Sequence, residues 1–272
     1  MSNTYGIITK VKQKKISELL ILDKRLDGRN LEDYREIKVE IGLIEKAAGS
    51  ALVSLGKTKV LTGVKIETGS PFPDTPEDGV LTVNVELVPL ASPTFEPGPP
   101  NEDAIELARV VDRGIRESKS IDLKKLCIVP EKKVFVVFVD IYVLDHDGNL
   151  FDASALASII ALINARMKDY VVKENGDLEF KPNYIRLPLQ NHPIEITTAK
   201  IDNKLVVDPS LEEEDVCDAQ ITIAIGNSDE ICAIQKSKPG SLSVEEILQA
   251  INISTRKAKE MREKILGSLK HE

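Results

Sequence analysis

The chain has 272 residues, of which 42% are hydrophobic, enough for a sizeable core in one large domain or two small ones. No apolar run approaches the ~20 residues of a membrane helix, and the N-terminal Met1-Ser2-Asn3-Thr4 lacks the apolar core of a signal peptide, so a cytoplasmic protein is expected. A net charge of -8 gives no long-range attraction for nucleic acid, so any such contact must be local.

The first 24 or so residues read as a helical arm, with an amphipathic helix over Ile16 to Leu22 running into the Asp27-Gly28-Arg29 turn. From Ile37 onward, runs rich in β-branched residues alternate with glycine turns. They predict strands at Ile37 to Leu43, Ala51 to Leu55, Lys59 to Glu67 and Leu81 to Leu90. The proline-rich acidic stretch Ser70 to Gly79 reads as an exposed loop.

Phe95-Glu96-Pro97-Gly98-Pro99-Pro100 must form a rigid extended elbow, because its prolines lack donors and exclude helix before them. A helix then starts at the N-cap Asn101, with Glu102 and Asp103 in its first turn, where the helix dipole favours negative charge. At about 100° per residue, Ala104, Leu107, Ala108, Val111 and Ile115 share one face, and Arg109, Arg113 and Arg116 share the opposite one. Spacing alone leaves two readings of that cationic face open. Glu106 and Asp112 stand at distances that would lace it with weak surface ion pairs. Alternatively, three guanidiniums in register suit the phosphates of an extended polyanion.

Further on, Lys133 to Leu144 is almost wholly apolar, as for a strand covered on both faces. A turn at Asp145 to Asn149 leads into an apolar helix, Ala153 to Met167, with Asp152 placed to cap it. A second group of strands is expected at Ile194 to Ala199, Lys204 to Asp208, Ala219 to Ile225 and Ile231 to Gln235. Ser243, with Glu246 three residues on, opens a closing helix that runs to about Leu269. The acidic run Glu212-Glu213-Glu214-Asp215 after Asp208 reads as a solvated turn. Strand-rich halves each followed by helix make an α+β fold with mixed sheets, with an internal duplication possible in the pattern but no clear sequence repeat. No linker marks a boundary, so residues 1–272 read as a single domain.

No independent catalytic set stands out. Cys127, Cys217 and Cys232 lack metal-site spacing and read as buried thiols, and His146, His192 and His271 form no ligand pattern, so no metal is expected. Lys57 after Gly56 lacks the context of a phosphate-binding loop, and there is no GxSxG elbow.

Phe95 to Arg116 (FEPGPPNEDAIELARVVDRGIR) closely resembles the matching stretch of the non-catalytic RNase PH-like subunit of the archaeal exosome core ring. So do Arg25-Leu26-Asp27-Gly28-Arg29 with Tyr34-Arg35, Gly49 to Gly56, and Val206-Val207-Asp208-Pro209 with its acidic tail, in order along the chain. The resemblance implies an RNase PH-like fold and a ring subunit that pairs with a catalytic RNase PH-like sister in a hexamer of three such pairs. It also implies RNA-binding cap subunits and single-stranded RNA as partners. Arg109, Arg113 and Arg116 would be the RNA-binding residues, with no catalytic residue and no cofactor in this chain. Inorganic phosphate would be the co-substrate at the sister's site. In active relatives a small, Gly-rich turn holds that anion. Here Asn149-Leu150-Phe151-Asp152 fill its place, which argues against the competing reading of a phosphorolytic 3′-5′ exoribonuclease active by itself.

Overall fold

The computed structural model describes residues 2–173 and 178–267. The helical arm α1 spans Ser2–Ile21, longer than the expected Ile16 to Leu22. Its Ile16 and Leu20, one turn apart, are buried in a small cluster with Ala199, Ile201, Val206 and Val216. Strands β1 (Ile37–Ile41), β2 (Gly49–Leu55), β3 (Thr58–Gly69) and β4 (Val80–Leu87) follow, then helix α2 (Glu102–Glu117), the short β5 (Cys127–Val129) and the long β6 (Lys133–Asp145). They form a sheet in the order β1-β2-β3-β6-β4, with β5 paired to β6. All pairs are antiparallel except β4 with β6, which run parallel because α2 carries the chain back between them.

Helix α3 (Leu150–Asn164) is buried at every position from Asp152 to Leu162. It lies between this first sheet and a second one, and its small residues Ala153, Ala157 and Ala161 allow both sheets to come close. The closeness is visible at Gly49 on β2, where a Cβ would come within 2.3 Å of the Ala161 carbonyl oxygen. The second sheet consists of β9 (Ile194–Ile201), β10 (Lys204–Val207), β11 (Ala219–Ile225) and β12 (Ile231–Ser237), all antiparallel, in the order β10-β9-β11-β12. Before it come β7 (Arg166–Val172) and β8 (Leu178–Arg186), a separate two-stranded ribbon; within it comes the single turn α4 (Leu211–Glu214). Helix α5 (Val244–Met261) covers the second sheet, opened by the expected Ser243/Glu246 capping box and ending in a wide turn over Arg262–Leu266. The rest of the expected closing helix lies outside the described residues.

Strand β11 is buried at all seven positions, since it lies inside the sheet between β9 and β12 and packs against α5. Strand β6 corrects the expectation of a strand covered on both faces. Val137, Val139, Ile141 and Val143 are buried toward α3, whereas Val136 and Phe138 are half-buried and Tyr142 is 43% exposed on the far side. The chain supplies a second layer for only one face of its first sheet. The two sheets also differ in wiring: the first contains a parallel crossover, and the second is antiparallel throughout, with β10 on its edge and β11 paired to β9.

The start of helix α3 and the arginines of helix α2

The turn from β6 into α3 uses two left-handed residues, Gly148 at φ 88° and Asn149 at φ 53°. Gly148 cannot be larger. A Cβ there would lie 2.4 Å from the Leu211 nitrogen, because the backbone of the Pro209–Leu211 loop runs against it. Asn149, rather than Asp152, is the N-cap of α3, which corrects the sequence-based expectation. The left-handed turn starts the helix three residues early, placing Asp152 inside the first turn. There its carboxylate accepts from the Tyr34 hydroxyl at 2.6 Å, the Thr197 hydroxyl at 2.7 Å and the Asn149 amide at 2.8 Å.

The end of the helix is closed by other carboxylates. Glu214 Oε1 accepts from the Asn149 backbone nitrogen at 2.9 Å, and Asp208 Oδ1 accepts from the Asn149 side-chain amide at 2.8 Å. Asp208 is fully buried and also takes donors from Arg29 Nη1 at 2.8 Å and from Arg35 Nη2, Nε and backbone nitrogen at 2.7, 2.9 and 2.9 Å. Beside it the buried Arg25 grips Glu213 with two nitrogens and donates to the carbonyls of Val207 and Asp208 at 2.7 and 2.8 Å. The acidic run is therefore no solvated turn. Asp208 and Glu213 are the internal counterions of three arginines that stand 173, 179 and 188 residues away in sequence, while Glu212 faces outward and meets Lys12 at the surface.

The start of α3 is engaged by the chain's own side chains rather than left open to an anion. Such an anion needs free backbone N–H groups and cations at the helix start. Here a side-chain amide and two carboxylates occupy that start, and Arg25, Arg29 and Arg35 already hold carboxylates. Leu150 and Phe151 pack into the core over the same turn.

Burial pushes the Asp152 carboxyl up to about 6, against the lowering pull of its Tyr34, Asn149 and Thr197 hydrogen bonds. Burial likewise pushes Glu214 up to about 7, its carboxyl turned inward on Asn149 and Gln220 although the residue as a whole is only half-buried. Both values lie above those of the unfolded chain, so the native state holds the protons more tightly. The stability they contribute is full below the unfolded values and is lost as pH rises through about 6 and 7. Urea unfolding at about pH 5 and about pH 8 should show wild type weakening across that window. In Glu214→Gln the weakening should be smaller by on the order of 2 kcal/mol. Equal changes in the two proteins would exclude Glu214 as a titrating group.

Helix α2 begins as expected, with the Asn101 side chain accepting from the Ala104 nitrogen at 2.9 Å. Ala104, Leu107, Val111 and Ile115 are buried; Ala108 is only half-buried, and Val110 and Gly114 join the covered side because α2 also packs on β12. The three arginines have separate surroundings. Arg116 forms a two-nitrogen pair with Asp112 at 3.0 and 2.8 Å and donates to the Leu81 carbonyl at 3.1 Å, its side chain 40% exposed. Arg113 is half-buried and donates to Gln235 Oε1 at 3.1 Å, above Glu195, whose carboxyl burial raises well above the usual range. Arg109 is exposed at the rim of a cleft of about 380 Å³ that also takes in Asn84 and Tyr142. Glu106, the neighbour that surface pairing would give it, instead accepts from Gln235 at 3.1 Å and Ser237 at 2.9 Å. Among the described residues Arg109 makes no hydrogen bond or ion pair, so its guanidinium faces solvent.

Cys127, Cys217 and Cys232 are free and half-buried rather than buried. Among the described residues no group of His, Cys, Asp and Glu could hold a metal ion, and no helix is long and apolar enough to cross a membrane. Sequence reasoning missed the Arg29–Arg35–Asp208 cluster and the β7–β8 ribbon. The ribbon had a signal in the Asn175-Gly176 pair flanked by aromatic and β-branched residues. The cluster had none, because its members are far apart in sequence.

Residues 33–168 match the family described as 3′ exoribonuclease family, domain 1, and residues 191–257 match domain 2 of the same family. The chain is 53% identical over 264 residues to the exosome complex component Rrp42 of Thermococcus onnurineus, covering 97% of each. It is also 53% identical over 270 residues to that of Pyrococcus furiosus, covering 99% of this chain and 97% of the other. Among solved structures, a chain of the Archaeoglobus fulgidus exosome with RNA bound to the active site superposes with a TM-score of 0.87 at 48% identity, covering 95% of this chain and 99% of that one. An archaeal exosome core chain gives 0.84 at 43%, covering 96% and 98%. The chain therefore belongs to the RNase PH-like 3′ exoribonuclease family, alongside the archaeal exosome components it matches.

Proposed function

We propose that the chain is the non-catalytic ring subunit of an archaeal exosome, the phosphorolytic 3′-5′ RNA-degrading complex. It pairs with a catalytic RNase PH-like sister, three such pairs form a hexameric ring in the cytoplasm, and cap subunits bind above. Inorganic phosphate reacts at the sister's site, and this chain carries no cofactor. Its own part is to scaffold the ring and to hold the backbone of single-stranded RNA with Arg109, Arg113 and Arg116 beside that site. The observation that carries the non-catalytic reading is the start of α3, where Asn149, Asp208 and Glu214 occupy the position an attacking phosphate would need. The same observation weighs against activity of the chain by itself. The unpaired, exposed Arg109 supports the RNA contact.

Purified alone and mixed with RNA and phosphate, the chain is expected to release no nucleoside diphosphate. With the sister added, sedimentation should shift to one large discrete species, and phosphorolysis should appear. Phosphate-dependent shortening of RNA by the chain alone would overturn the non-catalytic reading. A chain that stays unassociated with the sister would overturn the ring.

A further inference from the structure

A second cationic surface lies apart from α2. The β7–β8 ribbon, the end of β3 and the loop before β2 enclose an open groove of about 800 Å³. Lys46, Lys65, Arg166 and Lys168 line it against only two acids, Glu45 and Glu67, in a chain whose net charge is -8. Lys65 is tied to Glu67 at 2.7 Å and lies over the Phe138 ring. Among the described residues, Lys46, Arg166 and Lys168 have no ion pair.

The ribbon's register carries the argument further. Arg166 stands directly opposite Arg186, and Lys168 directly opposite Tyr184. Like charges facing each other across a strand pair destabilise it, so the Arg166–Arg186 pair costs the free protein stability that an anion between them would restore. Two aromatic rings stand in the same groove with much of their surface open to solvent, Phe180 at 51% and Tyr184 at 61% exposure. Forked cations that repel one another, interleaved with open rings, match a ligand that alternates phosphates with flat bases. An acidic protein segment would satisfy the cations and leave the rings unused.

We propose that this groove is a second binding site for single-stranded RNA, with Arg166 and Lys168 on phosphates and Tyr184 stacking on a base. It rests on the reading of the chain as an RNA-holding ring subunit. Phe135 lines the groove and Tyr142 borders the Arg109 cleft, at positions of opposite parity on β6 and so on opposite faces of the strand, which makes the groove a site separate from that cleft.

The test uses the assembled ring with labelled oligoadenylate and oligouridylate at two salt concentrations. Arg166→Gln with Lys168→Gln should weaken both RNAs several-fold and lower the salt dependence by about 0.7 for every phosphate no longer neutralised. The same variant should melt no lower than wild type, since Arg186 no longer faces a like charge, whereas a purely structural role predicts a lower melting temperature. Tyr184→Ala should weaken both RNAs with the salt dependence unchanged. If the α2 variant Arg109→Glu/Arg113→Glu loses RNA while the groove variants bind normally, the groove inference fails and the subunit reading stands. If neither set changes affinity, both fail. Groove variants that no longer assemble would identify the face as a protein interface and overturn the proposal.

Discussion

Replacing Asp208 by asparagine should lower the unfolding free energy by about 3–5 kcal/mol, the cost of removing one partner from a buried ion cluster. The substitution keeps size and shape, and asparagine tolerates the left-handed backbone at φ 50° found there. It fails for hydrogen-bonding reasons. Oδ1 accepts only from Arg35 Nη2 and the Asn149 amide, and Oδ2 only from Arg29 Nη1 and Arg35 nitrogens, so an NH₂ placed on either side confronts donors. Two buried guanidiniums would also lose their shared counterion. Glu212→Gln, four residues along the same acidic run, is the internal control. Its pair with Lys12 lies half in solvent and should be worth at most about 1 kcal/mol. Denaturant unfolding of the two variants decides the matter. If Asp208→Asn came within about 1 kcal/mol of Glu212→Gln, the cluster would not hold the two arginines to the second sheet.

That contrast shows what could and could not be read from the residues alone. Local signals were reliable where the chain satisfies itself locally. Asn101 caps α2, Ser243 and Glu246 close the box that opens α5, and β11 runs from Ala219 to Ile225 as its β-branched pattern required. The start of α3 was misplaced because the deciding event is a left-handed Asn149, which competes with Asp152 for the cap and wins once Asp208 and Glu214 hold its amide groups from a distant loop. No local pattern encodes partners that far away, so Glu213 and Glu212 look alike in sequence yet end up inside and outside. Strand β6 marks the same limit for packing. Val136, Phe138 and Tyr142 are as apolar or aromatic as a doubly covered strand demands, but sequence does not say whether the cover comes from this chain or from another.

Reversing Arg109 and Arg113 to glutamate should leave the ring assembled while weakening its hold on single-stranded RNA of every sequence. Contacts to phosphate fix position without reading bases. The salt dependence of affinity should fall by about 0.7 for each phosphate that goes without its arginine, and degradation by the sister should slow in parallel. The two positions are not equivalent. Arg109 has no internal partner among the described residues, so its reversal breaks no contact of the fold. Arg113 also braces Gln235 on β12 and lies above the buried Glu195, so its reversal places a second carboxylate against one already pushed up by burial. Arg109→Glu alone should therefore lower RNA affinity at unchanged stability, whereas Arg113→Glu should lower both. Arg116→Gln should have the smallest effect on RNA, because Asp112 and the Leu81 carbonyl already engage that guanidinium. The competing account, in which these arginines serve only the fold, predicts stability changes of at most about 1 kcal/mol and unaltered RNA binding. Anisotropy titrations at two salt concentrations, on rings shown intact by sedimentation, separate the accounts, and unchanged affinity and slope for Arg109→Glu would remove α2 from the RNA path.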